Sequence, residues 1–195
     1  MIEDVKEKAL KEGVPLIKDE GLAFLLDLIE KRGFRQILEL GTAVGYSAIE
    51  MASLNEDIHV DTIEKKEDMY LQAVRNIDEA GLSKRIRVFH EAIEDHVPDR
   101  EYDLIFVDAA KAQYHSYLEQ FLGCLKEDGV MVFDNMIFHG LIYEIEGIRS
   151  RALRALVNKI ARFRRDVQND KRFDIMIFDD IGDGILMLSR RKCEA

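Results

Sequence analysis

Asp108, Lys111, Asp134 and Asn135 have the types and spacing for metal and acid-base chemistry. Asp108 closes an apolar run and Lys111 follows three residues later, while Asp134 and Asn135 close the next apolar run. An isolated buried charge is costly, so these carboxylates must be solvated, paired or bound to a metal. If the two runs are neighbouring parallel strands, they end about 4.8 Å apart and three oxygen donors can share one cation. Oxygen donors without Cys or well-spaced His favour Mg²⁺ over Zn²⁺.

Lys111 has two interpretations. It is either a solvated lysine at the start of a helix, paired with Asp108, or a general base. In the second case its amine accepts the proton of a substrate hydroxyl that the cation binds. The residues alone leave both open.

A glycine loop lies at a predicted strand-to-helix junction, in ELGTAVGYS. Gly41 and Gly45 let the backbone approach a ligand closely and aim helix N-terminal amides at it. The spacing is GxxxG rather than the GxGxxG of pyrophosphate binders, and the loop lacks the Lys-Ser/Thr pair of a P-loop. Both features argue against NAD and ATP.

Two acids near this loop indicate the kind of ligand. Glu64 ends the next strand, 23 residues after Gly41, where a carboxylate can accept both hydroxyls of a ribose. Glu39 can face a positively charged ligand group. A nucleoside that carries a cation and no phosphate describes S-adenosylmethionine; the alternative is a plain tight turn with two solvated acids.

The segments that must position these residues alternate between apolar strand-like runs and helical periodicity. This pattern predicts a βαβαβ arrangement with a doubly covered parallel sheet. After a helix over about 147–168, two further runs joined by an Asp/Gly turn predict an antiparallel hairpin. The first five runs are 35–40, 58–64, 85–92, 102–110 and 129–135.

The composition fits one soluble domain over residues 1–195. Residues 1–34 read as helices broken near Pro15 and placed before the first strand. No window is long and apolar enough for a membrane span and the N-terminus has no signal core, so we expect a cytoplasmic protein. Cys124 and Cys193 form no CxxC pair and are expected to be buried or incidental thiols.

Together, LELGTAVGYSAI, the acid after the second strand, VDAAK and DNMIFHG resemble the cation-dependent O-methyltransferases typified by catechol and caffeoyl-CoA O-methyltransferases. The resemblance spans 13–189 and implies a Rossmann-like class I methyltransferase fold: an α/β, mostly parallel seven-stranded sheet with a C-terminal antiparallel hairpin and helices on both faces. It also implies Mg²⁺ or Mn²⁺ on Asp108, Asp134 and Asn135, with Lys111 as general base.

The resemblance further implies a homodimer and a set of S-adenosylmethionine contacts. The N-terminal segment would close over the cofactor through Ile17. The glycine loop and its neighbours would lie along the methionine part, the acid after the second strand on the ribose, and a short later segment beside the adenine. The implied cofactor residues are Ile17, Glu39, Gly41, Gly45, Ser47, Glu64, Ala92, Ile93 and Asp108.

The family mechanism requires a substrate with two adjacent oxygens, one of which loses its proton and attacks the sulfonium methyl. Catechols meet this requirement, and so does 5-hydroxyuridine. VDAAKAQY and DNMIFHGLIYE resemble the bacterial tRNA 5-hydroxyuridine methyltransferases, which make 5-methoxyuridine at the wobble position. Small catechol-like or caffeoyl-CoA-like compounds are the alternative, and a catalytically silent cofactor- or RNA-binding module is disfavoured because the ligands and the lysine are present.

Charge is distributed unevenly along the chain. Residues 149–172 hold nine Lys/Arg against two Asp, a net charge of +7, which leaves −17 for the rest of a chain of net charge −10. On a helix, Arg151, Arg154, Arg162 and Arg165 share one face. Such a stripe is typical of phosphate-backbone contacts with tRNA; a solvated face or subunit salt bridges are the alternatives. His139 is interpreted as a loop histidine rather than a substrate contact.

Overall fold

Helices and strands alternate through the first two thirds of the chain, as the sequence pattern predicts. The computed structural model describes residues 2–192. Within that range the strands are β1 (Gln36–Leu40), β2 (His59–Glu64), β3 (Ile86–His90), β4 (Tyr102–Val107), β5 (Leu125–Phe133), β6 (Phe173–Phe178) and β7 (Ile185–Arg190). The helices are α1 (Ile2–Lys11), α2 (Asp19–Arg32), α3 (Tyr46–Ser53), α4 (Glu67–Glu79), α5 (Tyr114–Phe121) and α6 (Arg151–Gln168).

The seven strands form one sheet in the order β3-β2-β1-β4-β5-β7-β6. The first five are parallel to one another, whereas β7 runs antiparallel to both β5 and β6. The predicted mostly parallel sheet with a C-terminal hairpin is therefore confirmed. Strand order reverses between β1 and β4, and in open α/β sheets a ligand crevice forms outside the carboxyl ends of the strands at such a point.

Helices cover both faces of the sheet, also as predicted. Successive strand residues contribute to different apolar clusters because side chains alternate between the faces: Ile37 packs with α1–α4, and Leu38 packs with α5 and α6. Both side chains are fully buried. This double coverage explains why the central strands read as continuous apolar runs rather than alternating ones.

The N-terminal region consists of two helices with Pro15 in the extended segment between them. The predicted break is therefore confirmed. Ile17 and Leu25 are buried in the cluster beneath the sheet, so this region is packed onto the same domain rather than standing apart from it.

The two largest differences between predicted and observed boundaries are four residues each, while the ends of β3, β4 and β5 lie two or three residues before the predicted ones. Helix α6 begins at Arg151 rather than near 147, because the Ser150 hydroxyl accepts a hydrogen bond from the Leu153 N–H (3.3 Å) and caps the helix there. Strand β5 begins at Leu125, ahead of the predicted start at 129, since a bulge lets it pair with β4 across an intervening charged stretch.

Cys124 is a free, partly buried thiol, and burial raises its pKa to about 11. Its partial burial agrees with the prediction of a buried or incidental thiol. Cys193 lies outside the described residues. Among the helices of residues 2–192, none has the length and apolar character that a membrane crossing requires.

Candidate active site

The carboxyl ends of β1, β4 and β5 converge at the point where strand order reverses. The Asp108 N–H donates to the Leu40 carbonyl of β1 (3.1 Å), and the Asp134 N–H donates to the Val107 carbonyl of β4 (3.2 Å). These bonds extend the parallel ladder by one residue on each strand, so both acids leave the sheet side by side. The predicted juxtaposition of Asp108 and Asp134 follows from strand register alone.

A cavity of about 510 Å³ opens above this edge. It contains most of the residues predicted from sequence to form the site. Glu39 and Asp134 are almost fully buried beneath it, while Gly45 and Ala92 do not line it. The predicted residues that line the cavity are Ile17, Gly41, Ser47, Glu64, Ile93, Asp108, Lys111 and Asn135.

Gly41 brings the loop after β1 against the end of β4. Its φ of 106° lies in the region that favours glycine, and a Cβ there would collide with the carbonyl oxygen of Asp108. The glycine therefore allows the cofactor loop and the candidate metal ligand to share one edge.

Gly45 does not line the cavity, and its contact with a cofactor stays a prediction. It precedes α3 with a φ of 83°, and a Cβ would lie 3.4 Å from the Cβ of Ala73 on α4. This glycine permits the turn into α3 and its close packing on α4. Ala92 immediately precedes the short 3-10 turn that carries Ile93 to the cavity.

Glu39 is a fully buried acid whose carboxylate accepts hydrogen bonds from two hydroxyl groups. Both Ser47 and Thr62 donate to its carboxylate, Thr62 Oγ1 at 2.6 Å from Oε2. Burial raises its pKa to about 7 because the charged form is poorly solvated there. A cationic ligand group that contacts Ser47 at the cavity wall would favour the ionised form of Glu39.

Glu64 closes β2 at the cavity wall and helps shape the glycine loop. Its Oε2 accepts from the Ala43 N–H (2.9 Å) and its Oε1 from the Lys66 N–H (2.8 Å). These bonds fix the carboxylate in one orientation and leave each oxygen a further lone pair. The position suits acceptance of hydrogen bonds from vicinal hydroxyls.

Asp108, Asp134 and Asn135 offer oxygen donors that fit a hard divalent cation. Burial first, and then the charge of Asp108, raise the pKa of Asp134 to about 7, so a cation between the two carboxylates would relieve an unfavourable pair. Asp134 Oδ1 accepts from the Asn135 N–H at 2.7 Å. No group of three or more His, Cys, Asp or Glu residues within 2–192 is arranged to hold a metal; this site combines two carboxylates with one amide.

Lys111 lies in the short turn before α5, and its Nζ is 3.4 Å from Oδ1 of Asp108. The two side chains are 22% and 25% exposed, so the amine faces the cavity and also pairs with the candidate metal ligand. Both interpretations of this lysine are compatible with that geometry. Tyr114, one turn later, donates from its hydroxyl to the Asp134 carbonyl (2.9 Å) and ties α5 to the end of β5.

Comparison with known proteins decides the family. The sequence model of the O-methyltransferase family matches residues 2–192. The chain belongs to the O-methyltransferase family. A caffeoyl-CoA O-methyltransferase of Populus kitakamiensis is 32% identical to it over 192 residues, covering 93% of this chain and 80% of the relative.

Solved structures agree with this family assignment. A candidate caffeoyl-CoA O-methyltransferase from Staphylococcus aureus has a TM-score of 0.93 at 32% identity, covering 97% of this chain and 92% of that one. An O-methyltransferase from Bacillus cereus in complex with SAH has a TM-score of 0.81 at 26% identity, covering 97% and 90%.

Several residues of this O-methyltransferase line the cavity but were not predicted from the sequence to be site residues. Tyr46 follows the glycine loop, Tyr117 projects from α5, and Phe138 lies in the loop after β5. An aromatic residue directly after the loop glycine was the available signal for Tyr46. His139 also lines the cavity while its side chain stays 67% exposed, so it is a loop histidine, as predicted, that reaches the cavity mouth.

The predicted arginine stripe of this O-methyltransferase lies on α6, with exposed Arg151, Arg154, Arg162 and Arg165. The four differ in their contacts. Arg154 donates twice to the Ile148 carbonyl (2.9 and 2.6 Å), and Arg162 donates to Asp166 at 3.4 Å. Arg151 and Arg165 make no ion pair or side-chain hydrogen bond within residues 2–192, so they are the two available to a partner.

A shallow groove of about 360 Å³ connects this basic face with the active site of the O-methyltransferase. Lys111 lines both the groove and the cavity, whereas Lys159 and Arg162 of α6 line the groove only. On the same wall, Nε2 of His115 lies 3.1 Å from Oδ2 of Asp166. An anionic ligand that leaves the cavity beside Lys111 would therefore pass cationic side chains.

Proposed function

We propose that this O-methyltransferase uses S-adenosylmethionine and a divalent cation to methylate one of two adjacent substrate oxygens, and that the substrate is 5-hydroxyuridine at the wobble position of tRNA. The observation that carries the proposal is a cavity lined both by Glu64, the acid that ends β2, and by the oxygen donors Asp108 and Asn135, which follow β4 and β5. A methyl donor and a chelating substrate can thus face each other there.

The cofactor assignment rests on the cavity and on a relative. The Bacillus cereus O-methyltransferase, 26% identical, is in complex with SAH. In this chain Glu64 would hold the ribose hydroxyls, Ser47 would lie by the methionine part, and Ile93 would form an apolar surface for the adenine. The cofactor would supply the methyl group, and these residues would hold it in the cavity that Asp108 and Asn135 also line.

Asp108, Asp134 and Asn135 would hold Mg²⁺ or Mn²⁺. These donors would place the cation where it could polarise adjacent substrate oxygens and lower the pKa of a substrate hydroxyl. Lys111, 3.4 Å from Asp108, would take the proton of that hydroxyl, and the aromatic rings of Phe138 and Tyr117 line the same cavity. Held orientation and charge complementarity would provide most of the acceleration.

The substrate choice rests on charge. Within residues 2–192 the guanidinium groups of Arg151 and Arg165 on α6 have no partner, and Lys159 and Arg162 line the groove that Lys111 also lines. A phosphate backbone on both sides of a nucleoside inserted in the cavity would meet these cations. In a homodimer, which is part of the proposal, the basic face of one subunit could also serve the cavity of its partner.

A second candidate is O-methylation of a small vicinal dihydroxy compound. It is favoured by the name of the Populus kitakamiensis relative, a caffeoyl-CoA O-methyltransferase at 32% identity. A catechol-type ring would need only the cavity, with no use of the α6 face.

Charge reversal of Arg151 and Arg165 separates the two candidates. With labelled S-adenosylmethionine and Mg²⁺, the double Arg→Glu variant should methylate 5-hydroxyuridine tRNA with KM raised at least about tenfold, and should leave any turnover of catechol unchanged. Arg75→Glu, an exposed change on α4 across the sheet, is the matched control. An unaltered KM for tRNA, or label that enters only catechol, would reject the tRNA substrate.

A further inference from the structure

Asp183 is a buried carboxylate that neither the family motifs nor the proposed mechanism uses. It lies between Gly182 and Gly184, in the turn that joins β6 to β7, and is 1% exposed. Buried carboxylates are kept only where charge and hydrogen bonds compensate for lost water. The partners of Asp183 therefore indicate why it is there.

Both carboxylate oxygens of Asp183 point at the loop that carries a candidate metal ligand. Asn135 donates from Nδ2 to Oδ2 at 3.2 Å, and the backbone N–H of His139 donates to Oδ1 at 2.6 Å. A carboxylate only accepts hydrogen bonds, so it selects the NH₂ end of the Asn135 amide. The carbonyl oxygen of that amide then faces the cavity and accepts no hydrogen bond from the protein within residues 2–192.

The same loop is conformationally strained. Asn135, Phe138 and His139 have φ angles of 58°, 45° and 57°, a region that non-glycine residues rarely adopt. Such conformations persist only when surrounding contacts determine them. The backbone N–H of Ile137 donates to the Asp183 carbonyl at 2.9 Å, and a Cβ on Gly184 would lie 2.7 Å from the nitrogen of Ile137.

The charge of Asp183 is balanced from the N-terminal segment. Lys18 places its Nζ 3.7 Å from Oδ1 of Asp183 and donates to the Gly182 carbonyl at 3.3 Å. The Nδ1 of His139 lies 3.6 Å from Oδ2. Lys18 and His139 both line the cavity, so one buried acid joins the N-terminal segment, the hairpin turn and the loop after β5.

We propose that Asp183 is a positioning residue that sets which end of the Asn135 amide faces the cation. By holding the His139 N–H it also fixes the strained loop that carries Phe138 over the cavity. This inference rests on the cation site of the proposed function. Partners of metal ligands commonly change metal affinity by about 10- to 100-fold when altered.

Asp183→Asn tests the proposal because it keeps the shape and removes one acceptor. If the new amide oxygen accepts from His139, its NH₂ faces the NH₂ of Asn135, which must rotate and present a donor to the cation. If the new amide turns the other way, the His139 N–H is left facing a donor. Either arrangement weakens the site.

Exchange of the residues at positions 135 and 183 should restore cation binding. In the double variant Asn135→Asp, Asp183→Asn, the amide at 183 accepts from His139 and donates to the carboxylate at 135, whose second oxygen remains free for the cation. The single variant Asn135→Asp instead places two carboxylates in contact at a buried position. Asn135→Asp should therefore weaken Mn²⁺ binding when residue 183 is Asp and strengthen it when residue 183 is Asn. A charge added to the ligand set would by itself act in the same direction in both backgrounds.

The experiment is a Mn²⁺ titration of the full chain followed by electron paramagnetic resonance, together with thermal unfolding in EDTA. Asp183→Asn should raise the Kd for Mn²⁺ by about 10- to 100-fold, and the exchanged pair should recover most of that loss. Asp180→Asn, exposed in the same turn, is the control and should bind as the wild type does.

Equal Mn²⁺ affinity in Asp183→Asn and wild type would overturn the inference. So would an exchanged pair that fails to fold or binds no better than Asp183→Asn. If Asp183→Asn itself does not fold, the exchanged pair alone decides in the same way. The variant Asp108→Asn distinguishes failure of the Asp183 inference from failure of the proposed cation site. If the wild type binds Mn²⁺ no better than Asp108→Asn does, the cation site itself is refuted.

Discussion

Replacement of Asp134 by Asn should make the metal-free protein more stable while it removes cation binding. Asp134 is 2% exposed and its charge is opposed by burial and by Asp108, which together raise its pKa from 3.8 to about 7. An amide of the same shape keeps an acceptor for the Asn135 N–H and carries no charge. Ionised Asp134 therefore lowers the stability of the metal-free protein.

The magnitude and its pH dependence follow from that pKa. The rise in the pKa of Asp134 from 3.8 to about 7 corresponds to about 4 kcal/mol of unfolding free energy. This is the extra cost of ionising Asp134 in the folded chain compared with the unfolded chain. Because the folded pKa is raised, this cost is absent below pH 3.8, grows as pH rises toward 7 and then levels off. The stability difference between Asp134→Asn and wild type should thus be about 3 kcal/mol larger at pH 8 than at pH 5.

Thermal unfolding in EDTA at both pH values measures this difference. About 1 kcal/mol shifts the midpoint by about 2–4 °C in a chain of this size, so the gain at pH 8 should reach several degrees. Added Mg²⁺ should raise the midpoint of wild type and not of the variant, and Asp180→Asn should behave as wild type. An Asp134→Asn protein that is less stable at pH 8, or that Mg²⁺ still stabilises, would refute the reasoning.

Two further predictions concern the base and the cofactor loop. Lys111→Ala should lower kcat by about 10²–10⁴-fold and leave the Kd for S-adenosylhomocysteine, measured by calorimetry, nearly unchanged; full turnover would show that Lys111 only pairs with Asp108. Gly41→Ala should lower the unfolding free energy by about 1–3 kcal/mol and weaken cofactor binding, because φ is 106° and the added Cβ meets the Asp108 carbonyl; wild-type denaturant unfolding would contradict that account.

The sheet was predictable because its strands are buried on both faces and read as uninterrupted apolar runs. Asp108 and Asp134 could be brought together from sequence because parallel neighbours end at one edge, and the structure has the acids there. Helix α6 was predicted four residues too long at its start because periodicity continues past Ser150, whereas the cap decides the boundary.

Other features of the site depend on contacts that sequence spacing does not encode. Asp183 meets Asn135 across 48 residues, and only its position between two glycines marked the turn. Gly45 was assigned to the cofactor because it lies in the same loop as Gly41, and the loop spacing did not show that the glycine also packs against Ala73 of α4. Periodicity likewise placed Arg151 and Arg154 on one face of the helix, but it could not show that the Arg154 guanidinium donates to the Ile148 carbonyl.

The most direct measurement of the central claim is nucleoside mass spectrometry of tRNA that carries 5-hydroxyuridine, after incubation with the enzyme, Mg²⁺ and S-adenosylmethionine bearing a deuterated methyl group. We expect labelled 5-methoxyuridine at the wobble position, with labelling abolished by EDTA and restored by added Mg²⁺. Equal labelling in EDTA would contradict the cation site. Unlabelled tRNA beside labelled catechol would contradict the substrate.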